Sequence, residues 1–226
     1  MDETGLGARV AEIVAKQSPD LPLAARSAEN ELVFDQRAPW YEKGSAAEIY
    51  LSPARLEGMA ERLLGPGDGP ILDLACGTGF MGERLARIGL GPITGCDLSQ
   101  AMLERAAAKG VYDRLVRADL HQALPFAEGS FGAAVCAGAF FAESVAPAAL
   151  AHVLPVLRPG GWLICDVELI AWEEEGFAAS FAALQNVGIL ADLQIEEGRI
   201  FAEGVIEGET SPGCSAFARF VAARRA

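Results

Sequence analysis

The chain has 226 residues, enough to bury a sizeable core as one domain, and nothing in its length requires a second. Apolar residues make up 51% and charged residues 22%, the balance of a folded globular protein, which excludes a disordered chain. The 31 acidic side chains against 18 basic ones leave a net charge of -13 that repels a phosphate backbone over most of the surface, so nucleic-acid binding is not expected.

The opening segment MDETGLGARV is acidic and lacks the basic and then apolar regions of a secretory signal. QSPDLPL, residues 17 to 23, breaks an N-terminal helix from the next segment. The clearest early helix is SPARLEGMAERLL, with Ser52 as N-cap, Pro53 at the first helical position and Gly65 as its stop. Leu56, Met59, Ala60, Leu63 and Leu64 recur at helical spacing, which predicts a face lying on a sheet. After GPGDG, short apolar runs alternate with helical segments and predict βαβ units in a mainly parallel sheet. Strands are expected near 71–75, 93–97, 114–118, 132–137 and 161–167, with helices near 79–89, 99–109 and 146–157. Beyond Trp172, a helix carrying Phe177, Phe181 and Leu184 ends near Gly188, and strands near 193–203 and 215–222 pair as an antiparallel hairpin. The expected fold is α/β: an N-terminal helical segment over 1–51, then one globular unit over 52–226. That unit is a Rossmann-like, doubly wound sheet of seven strands with helices on both faces. The longest uncharged apolar run, 131–142, stops at Glu143 and is too short to span a bilayer, so a soluble, cytoplasmic protein is expected. Five cysteines without a C-x-x-C pair predict reduced core thiols, and His121 and His152, far apart in sequence, predict no metal site.

In such a sheet, ligands bind outside the carboxyl ends of the strands, where strand order reverses. The first strand runs through ILDLACGTGF, and Gly77, Gly79 and Gly82 fit the dinucleotide fingerprint G-x-G-x-x-G to the letter. Asp97 follows Gly77 by twenty positions, a spacing that lets a carboxylate accept from ribose hydroxyls in NAD or in S-adenosylmethionine alike. Asp73 separates the two: near the loop its charge repels a pyrophosphate but attracts an ammonium and a sulfonium. Glycines at 77 and 79 are expected to let the ligand approach and to leave amide donors for its carboxylate. Asp119, at the end of the third strand, is placed to accept from an adenine amino group.

ILDLACGTG, GCDLSQAML, RADLHQALPFAEGSF and VLRPGGWLICDV, in this order over residues 70 to 167, resemble the signature segments of class I S-adenosylmethionine-dependent methyltransferases. FDQRAPWYEKGSAAEIYLSPARL, GVYDRL and VCAGAF are more narrowly similar to the Williams-Beuren-region methyltransferase-like proteins. The resemblance implies that Ala75, Gly77, Thr78 and Gly79 surround the methionine moiety and that Asp97 holds the ribose. Leu98 and Met102 would lie beside the adenine, Asp119 and Leu120 at its edge, and Ala137 in the wall at the fourth strand. Trp40 or Tyr41 would close over the cofactor as part of an N-terminal lid. Ala75 stands where many members have glycine, and Gly132 stands where an aspartate would tie the strand entrance.

The implied reaction is methyl transfer to a small-molecule acceptor, with S-adenosylhomocysteine as product and Glu143 and Tyr41 as the groups to examine for a general base. No Asn-Pro-Pro-Tyr or Asp-Pro-Pro-Tyr follows the fourth strand, which tells against methylation of nucleic-acid bases. An NAD-dependent oxidoreductase and a non-catalytic S-adenosylmethionine binder are the alternatives. Plainer readings also exist: Asp97 and Asp119 as turn formers, Trp40 and Tyr41 as a cover for the core, His121 as a loop residue and Cys76 as an inert thiol. Residues 173–175, three glutamates, read as a solvated helix start, and no exposed apolar stripe assigns a subunit interface.

Overall fold

The structure, a computed structural model, describes residues 5–42, 49–203 and 215–226. Two helices come first, α1 (Leu6–Ala15) and α2 (Leu23–Arg37), the latter running into a 3₁₀ turn, Ala38–Trp40. The helix α3 (Ser52–Leu63) leads to β1 (Ile71–Leu74), α4 (Phe80–Arg87), β2 (Ile93–Asp97), α5 (Gln100–Ala108) and β3 (Arg114–Arg117). Next come β4 (Phe131–Phe140), α6 (Leu150–Val156), β5 (Leu157–Glu168), α7 (Leu169–Glu174) and α8 (Phe177–Asn186). The chain ends with β6 (Leu190–Arg199) and β7 (Phe217–Arg225).

The seven strands form one sheet in the order β3-β2-β1-β4-β5-β7-β6. The first five pair in parallel, and β7 inserts antiparallel between β5 and β6, so the expected terminal hairpin is present with β6 as the sheet edge. From β1 the chain winds outward to β2 and β3, then returns past β1 to begin β4 on its other side. The crevice between β1 and β4 is therefore the switch point that the sequence anticipates.

Successive residues of a strand face opposite sides, and the core divides accordingly. Leu72, Leu74, Leu163 and Val167 pack with α1, α6 and α8, where the Phe140 and Phe177 rings lie 5.1 Å apart. Ile71, Val135 and Ile164 pack with Leu56 and Met59 of α3 and with Met81 and Leu85 of α4. The apolar stripe of α3 is thus buried as its spacing predicts.

Several boundaries differ from expectation. Leu51, not Ser52, caps α3, because Ser52 already has its place in the first turn and Pro53 follows it at the second position. β5 begins at Leu157, ahead of the expected 161, because Leu157 pairs with Phe131 of β4, and β6 and β7 run over 190–199 and 217–225. The connection between the two expected strands, 204–214, lies outside the described residues. At Gly132, a Cβ would sit 2.0 Å from the Asp68 carbonyl oxygen, which accounts for a glycine there. Arg158 ties this strand entrance, reaching the Gly67 carbonyl at 2.9 Å and the Asp68 carboxylate at 3.2 Å. The three glutamates end α7 instead of starting a helix, and Glu175 is 7% exposed in a two-pronged ion pair with Arg26 at 2.8 and 3.0 Å. Among the described residues no helix is long and apolar enough to cross a membrane.

Candidate active site

The turn after β1 is built on left-handed backbone. Ala75, Gly77 and Gly79 have φ of 48°, 54° and 89°, and Gly79 caps α4. A Cβ at Gly77 would enter open space, whereas at Gly79 it would press on Tyr112, Lys109 and Ala106 at 3.0 to 3.2 Å. Ala75 carries the conformational cost that glycine avoids, about 1 kcal/mol. Ala75→Gly is therefore expected to raise the unfolding free energy by up to about 1 kcal/mol, read as a melting shift of about 2–3 °C.

The amide donors expected to be free in this turn are already committed. Gly77 N–H donates to Asp97 Oδ2 at 2.8 Å and Gly79 N–H to the Cys76 carbonyl at 2.8 Å. Closing the turn on itself in this way satisfies backbone groups that would otherwise be stranded beside the core. Cys76 is buried, and burial pushes its thiol well above the usual range, which agrees with an inert role.

Asp73 does not line the cleft. It is 1% exposed beneath the turn, where Oδ2 accepts from the Tyr112 hydroxyl at 2.6 Å and Oδ1 has no partner among the described residues. The third glycine of the fingerprint is explained at this place. A Cβ on Gly82 would meet Tyr112 Cζ and its hydroxyl at 2.3 Å, so Gly82 is the slot through which Tyr112 reaches Asp73. The second and third glycines of the match thus make room for Tyr112 under the turn, while Gly77 supplies left-handed backbone.

Desolvation raises the Asp73 carboxyl from 3.8 to about 7, and the nearby charge of Asp97 adds to it, while Tyr112 and the Gly82 amide oppose. Between those two values the folded chain keeps a proton that the unfolded chain releases, so this group favours folding at low pH and that contribution is lost as pH rises through about 7. Asp73→Asn is expected to melt higher than the parent protein at pH 8, by on the order of 3 kcal/mol, with the difference vanishing below about pH 4. Thermal unfolding across that range reads the effect, and a constant difference would contradict it.

The cleft itself opens at the ends of β1 to β4. The carboxylate of Asp97 stands at its centre, 9% exposed, its second oxygen accepting from Ser99 N–H at 2.8 Å; burial raises its pKa and these amides counter the shift. Ser99 caps α5 by accepting from Met102 N–H at 3.1 Å, which brings Leu98 and Met102 to the wall. Asp119 and Leu120 line the far end, and Asp119 Oδ1 also accepts from His121 N–H at 2.8 Å, so it shapes its own turn while facing the cleft. Ala75, Gly77 and Ala137 complete the near side.

The N-terminal segment lies across the opening. Ser27, Asn30 and Phe34 of α2 line the cleft together with Tyr41. Asp35 accepts from the Ser99 hydroxyl and from Ala101 N–H at the start of α5, Glu31 pairs with Arg117, and Glu42 accepts from Thr78 and pairs with Lys109 at 2.9 Å. Trp40, by contrast, is 64% exposed and outside the lining, as are Thr78, which turns to Glu42, and Gly79. Glu143 is also outside it: the residue is exposed, with φ of 63°, and its amide donates to Glu175 at 2.9 Å. A left-handed turn thus carries Glu143, expected as a base at the fourth strand end, to the surface. Residues that sequence reasoning misses are Ser27, Asn30 and Phe34, which are distant in the chain, and His121, which reads as a loop residue but is 6% exposed and part of the wall.

Residues 71–161 match the sequence profile of the family described as "Methyltransferase domain". The chain is 37% identical over 135 residues to methyltransferase-like protein 27 of Homo sapiens, covering 58% of this chain and 54% of that one. It is 36% identical over 155 residues to a malonyl-[acyl-carrier protein] O-methyltransferase of Erwinia pyrifoliae, covering 66% and 57%. An S-adenosylmethionine-dependent methyltransferase of Thermotoga maritima superposes with a TM-score of 0.59 at 18% identity, covering 86% of this chain and 99% of that one. The [4+2]-cyclase SpnF does so with 0.62 at 18%, covering 88% and 96%, and these two likenesses show the fold alone. The chain spans about half the length of the curated relatives it matches. Over residues 71–161 the chain thus matches the methyltransferase domain family, and it shares the fold of S-adenosylmethionine-dependent methyltransferases.

Proposed function

We propose that this chain transfers the methyl group of S-adenosylmethionine to a small-molecule acceptor. The observation that carries the reading is the charge of the cleft: Asp97 and Asp119 line it, and among the described residues no lysine or arginine does. Two carboxylates attract a ligand bearing a sulfonium and an ammonium and repel the pyrophosphate of a dinucleotide. The donor chemistry also fits, since each Asp97 oxygen has a lone pair left after its amide contact with which to accept from a ribose diol.

When bound, the cofactor supplies an activated methyl group and a neutral thioether leaving group. The residues of this chain then bind, orient and exclude water. Asp97 fixes the ribose, Leu98 and Met102 flank the adenine, Asp119 and Leu120 take its edge, and Ala75, Gly77 and Ala137 shape the methionine side, with Thr78 and Gly79 holding the turn from behind. Asp73 supports the turn from below through its hydrogen bond with Tyr112. Tyr41 and α2 form the lid over the cleft; burial and then the Asp97 charge raise the pKa of the Tyr41 phenol, so it keeps its proton and orients an acceptor by hydrogen bonding. Alignment of the acceptor at near-attack distance is the main catalytic demand.

The net charge of -13 supports a small molecule over a nucleic acid, although two of the relatives are 18S rRNA (guanine-N(7))-methyltransferases. The exposure of Glu143 favours one second reading, a protein that binds the cofactor without transferring its methyl group. Calorimetric titration with S-adenosylhomocysteine, and with NADH in parallel, tests the proposal: saturable binding of the first alone is expected, and binding of NADH alone would overturn it. Methyl transfer to any acceptor in a subsequent screen removes the second reading.

A further inference from the structure

We infer that His121 is a positioning residue that fastens the adenine end of the cleft, the N-terminal helix and the loop after β4 to one another. The inference rests on the S-adenosylmethionine reading of the cleft. Three contacts converge on this residue. Its backbone N–H donates to Asp119 Oδ1 at 2.8 Å, its Nδ1 lies 3.0 Å from Ser27 Oγ on α2, and its Nε2 receives the Ala146 N–H at 2.9 Å. Ala146 follows Ser144 and Val145, both in the cleft wall.

These contacts fix the proton on the ring. A backbone amide can only donate, so Nε2 is a bare acceptor, and in a neutral imidazole Nδ1 then carries the hydrogen and donates to Ser27 Oγ. Ser27, accepting from His121, keeps its own O–H to offer a ligand in the cleft that it lines. Adding a proton to Nε2 would set N–H against N–H and release Ala146. The arrangement therefore exists only with His121 neutral.

The groups around the ring agree with that state. Burial is the largest influence and holds His121 below the usual histidine value of 6.5; Arg26 on α2 and His152 on α6 act in the same direction, while Asp119 and Glu175 oppose. Arg26 and Glu175 are paired with each other, and His152 is hydrogen-bonded to the His121 backbone. With the folded value depressed, the contribution of neutral His121 is complete above about 6.5 and is lost as pH falls through the lowered value. A histidine that merely fills space would give cofactor binding no such dependence.

The test is calorimetric titration of the full chain with S-adenosylhomocysteine between about pH 5 and pH 8, with thermal unfolding recorded at each pH. Parent protein is expected to bind about tenfold more weakly at the acid end, the worth of one hydrogen bond. His121→Gln keeps an oxygen to accept from Ala146 but has no charge to gain, so it should bind at neutral pH and lose this pH dependence. His121→Ala should bind about tenfold more weakly even at neutral pH. The carboxylates Asp97 and Asp119 are common to all three proteins and cancel in the comparison. Superimposable pH profiles for the parent and His121→Gln would overturn the inference while leaving the cofactor reading intact. Failure of the parent to bind at any pH would instead overturn the cofactor reading, and the inference with it.

Discussion

Replacing Asp97 by alanine is expected to weaken S-adenosylhomocysteine binding by 100-fold or more, about 3 kcal/mol. Two effects combine. The ribose hydroxyls lose a charged acceptor, worth about 1.5–3 kcal/mol, and the turn after β1 loses the group that receives the Gly77 amide at 2.8 Å and the Ser99 amide at 2.8 Å. Asp97→Asn retains a single oxygen, so it should fall between, about tenfold weaker than the parent. Because Asp97 is a buried carboxylate whose pKa is raised by desolvation, its removal also relieves a cost, and the fold should survive. Titration at neutral pH with a melting curve on each variant separates binding from folding. Affinity within threefold of the parent for a folded Asp97→Ala protein would remove this residue from the site.

The second large effect is structural. Gly82→Ala places a methyl group 2.3 Å from the Tyr112 ring and hydroxyl, inside a side chain wedged among Gly79, Gly82 and Gly95. Tyr112 must withdraw, which costs about 1–3 kcal/mol of packing and leaves the buried Asp73 carboxyl without the hydroxyl that it holds at 2.6 Å, about 1–3 kcal/mol more. We expect a loss of about 3 kcal/mol and a melting temperature lower by about 10 °C. A double-mutant cycle identifies the cause: in a Tyr112→Ala background the Gly82→Ala change should cost less than about 1 kcal/mol. Equal costs in both backgrounds would place the damage in α4 itself.

The G-x-G-x-x-G match shows why a pattern needs its surroundings. The sequence supplies the glycines, but not what each one faces. Gly77 opens on the cleft, whereas Gly79 and Gly82 make room for the tyrosine of GVYDRL, far along the chain. Asp73 is legible in the sequence as a carboxylate close to the turn, but its burial beneath it is decided by Tyr112.

What the sequence determined by itself is what depends on near neighbours and on period. The alternation of apolar runs with helical stripes dictated the parallel core of the sheet, and the twenty-residue interval from Gly77 to Asp97 set the turn against the second strand end. Strand-end placement also marked Asp97 and Asp119, while Leu98, Met102 and Leu120 came from the family resemblance. Tertiary structure decided the rest. The side of the molecule on which α2 comes to lie brings Ser27, Asn30 and Phe34 over the cleft, the left-handed turn at Glu143 sends an expected base to the surface, and the meeting of Ser27, Asp119 and Ala146 makes a wall residue of His121. These are long-range contacts and backbone choices of single residues, which no period or spacing in the chain encodes.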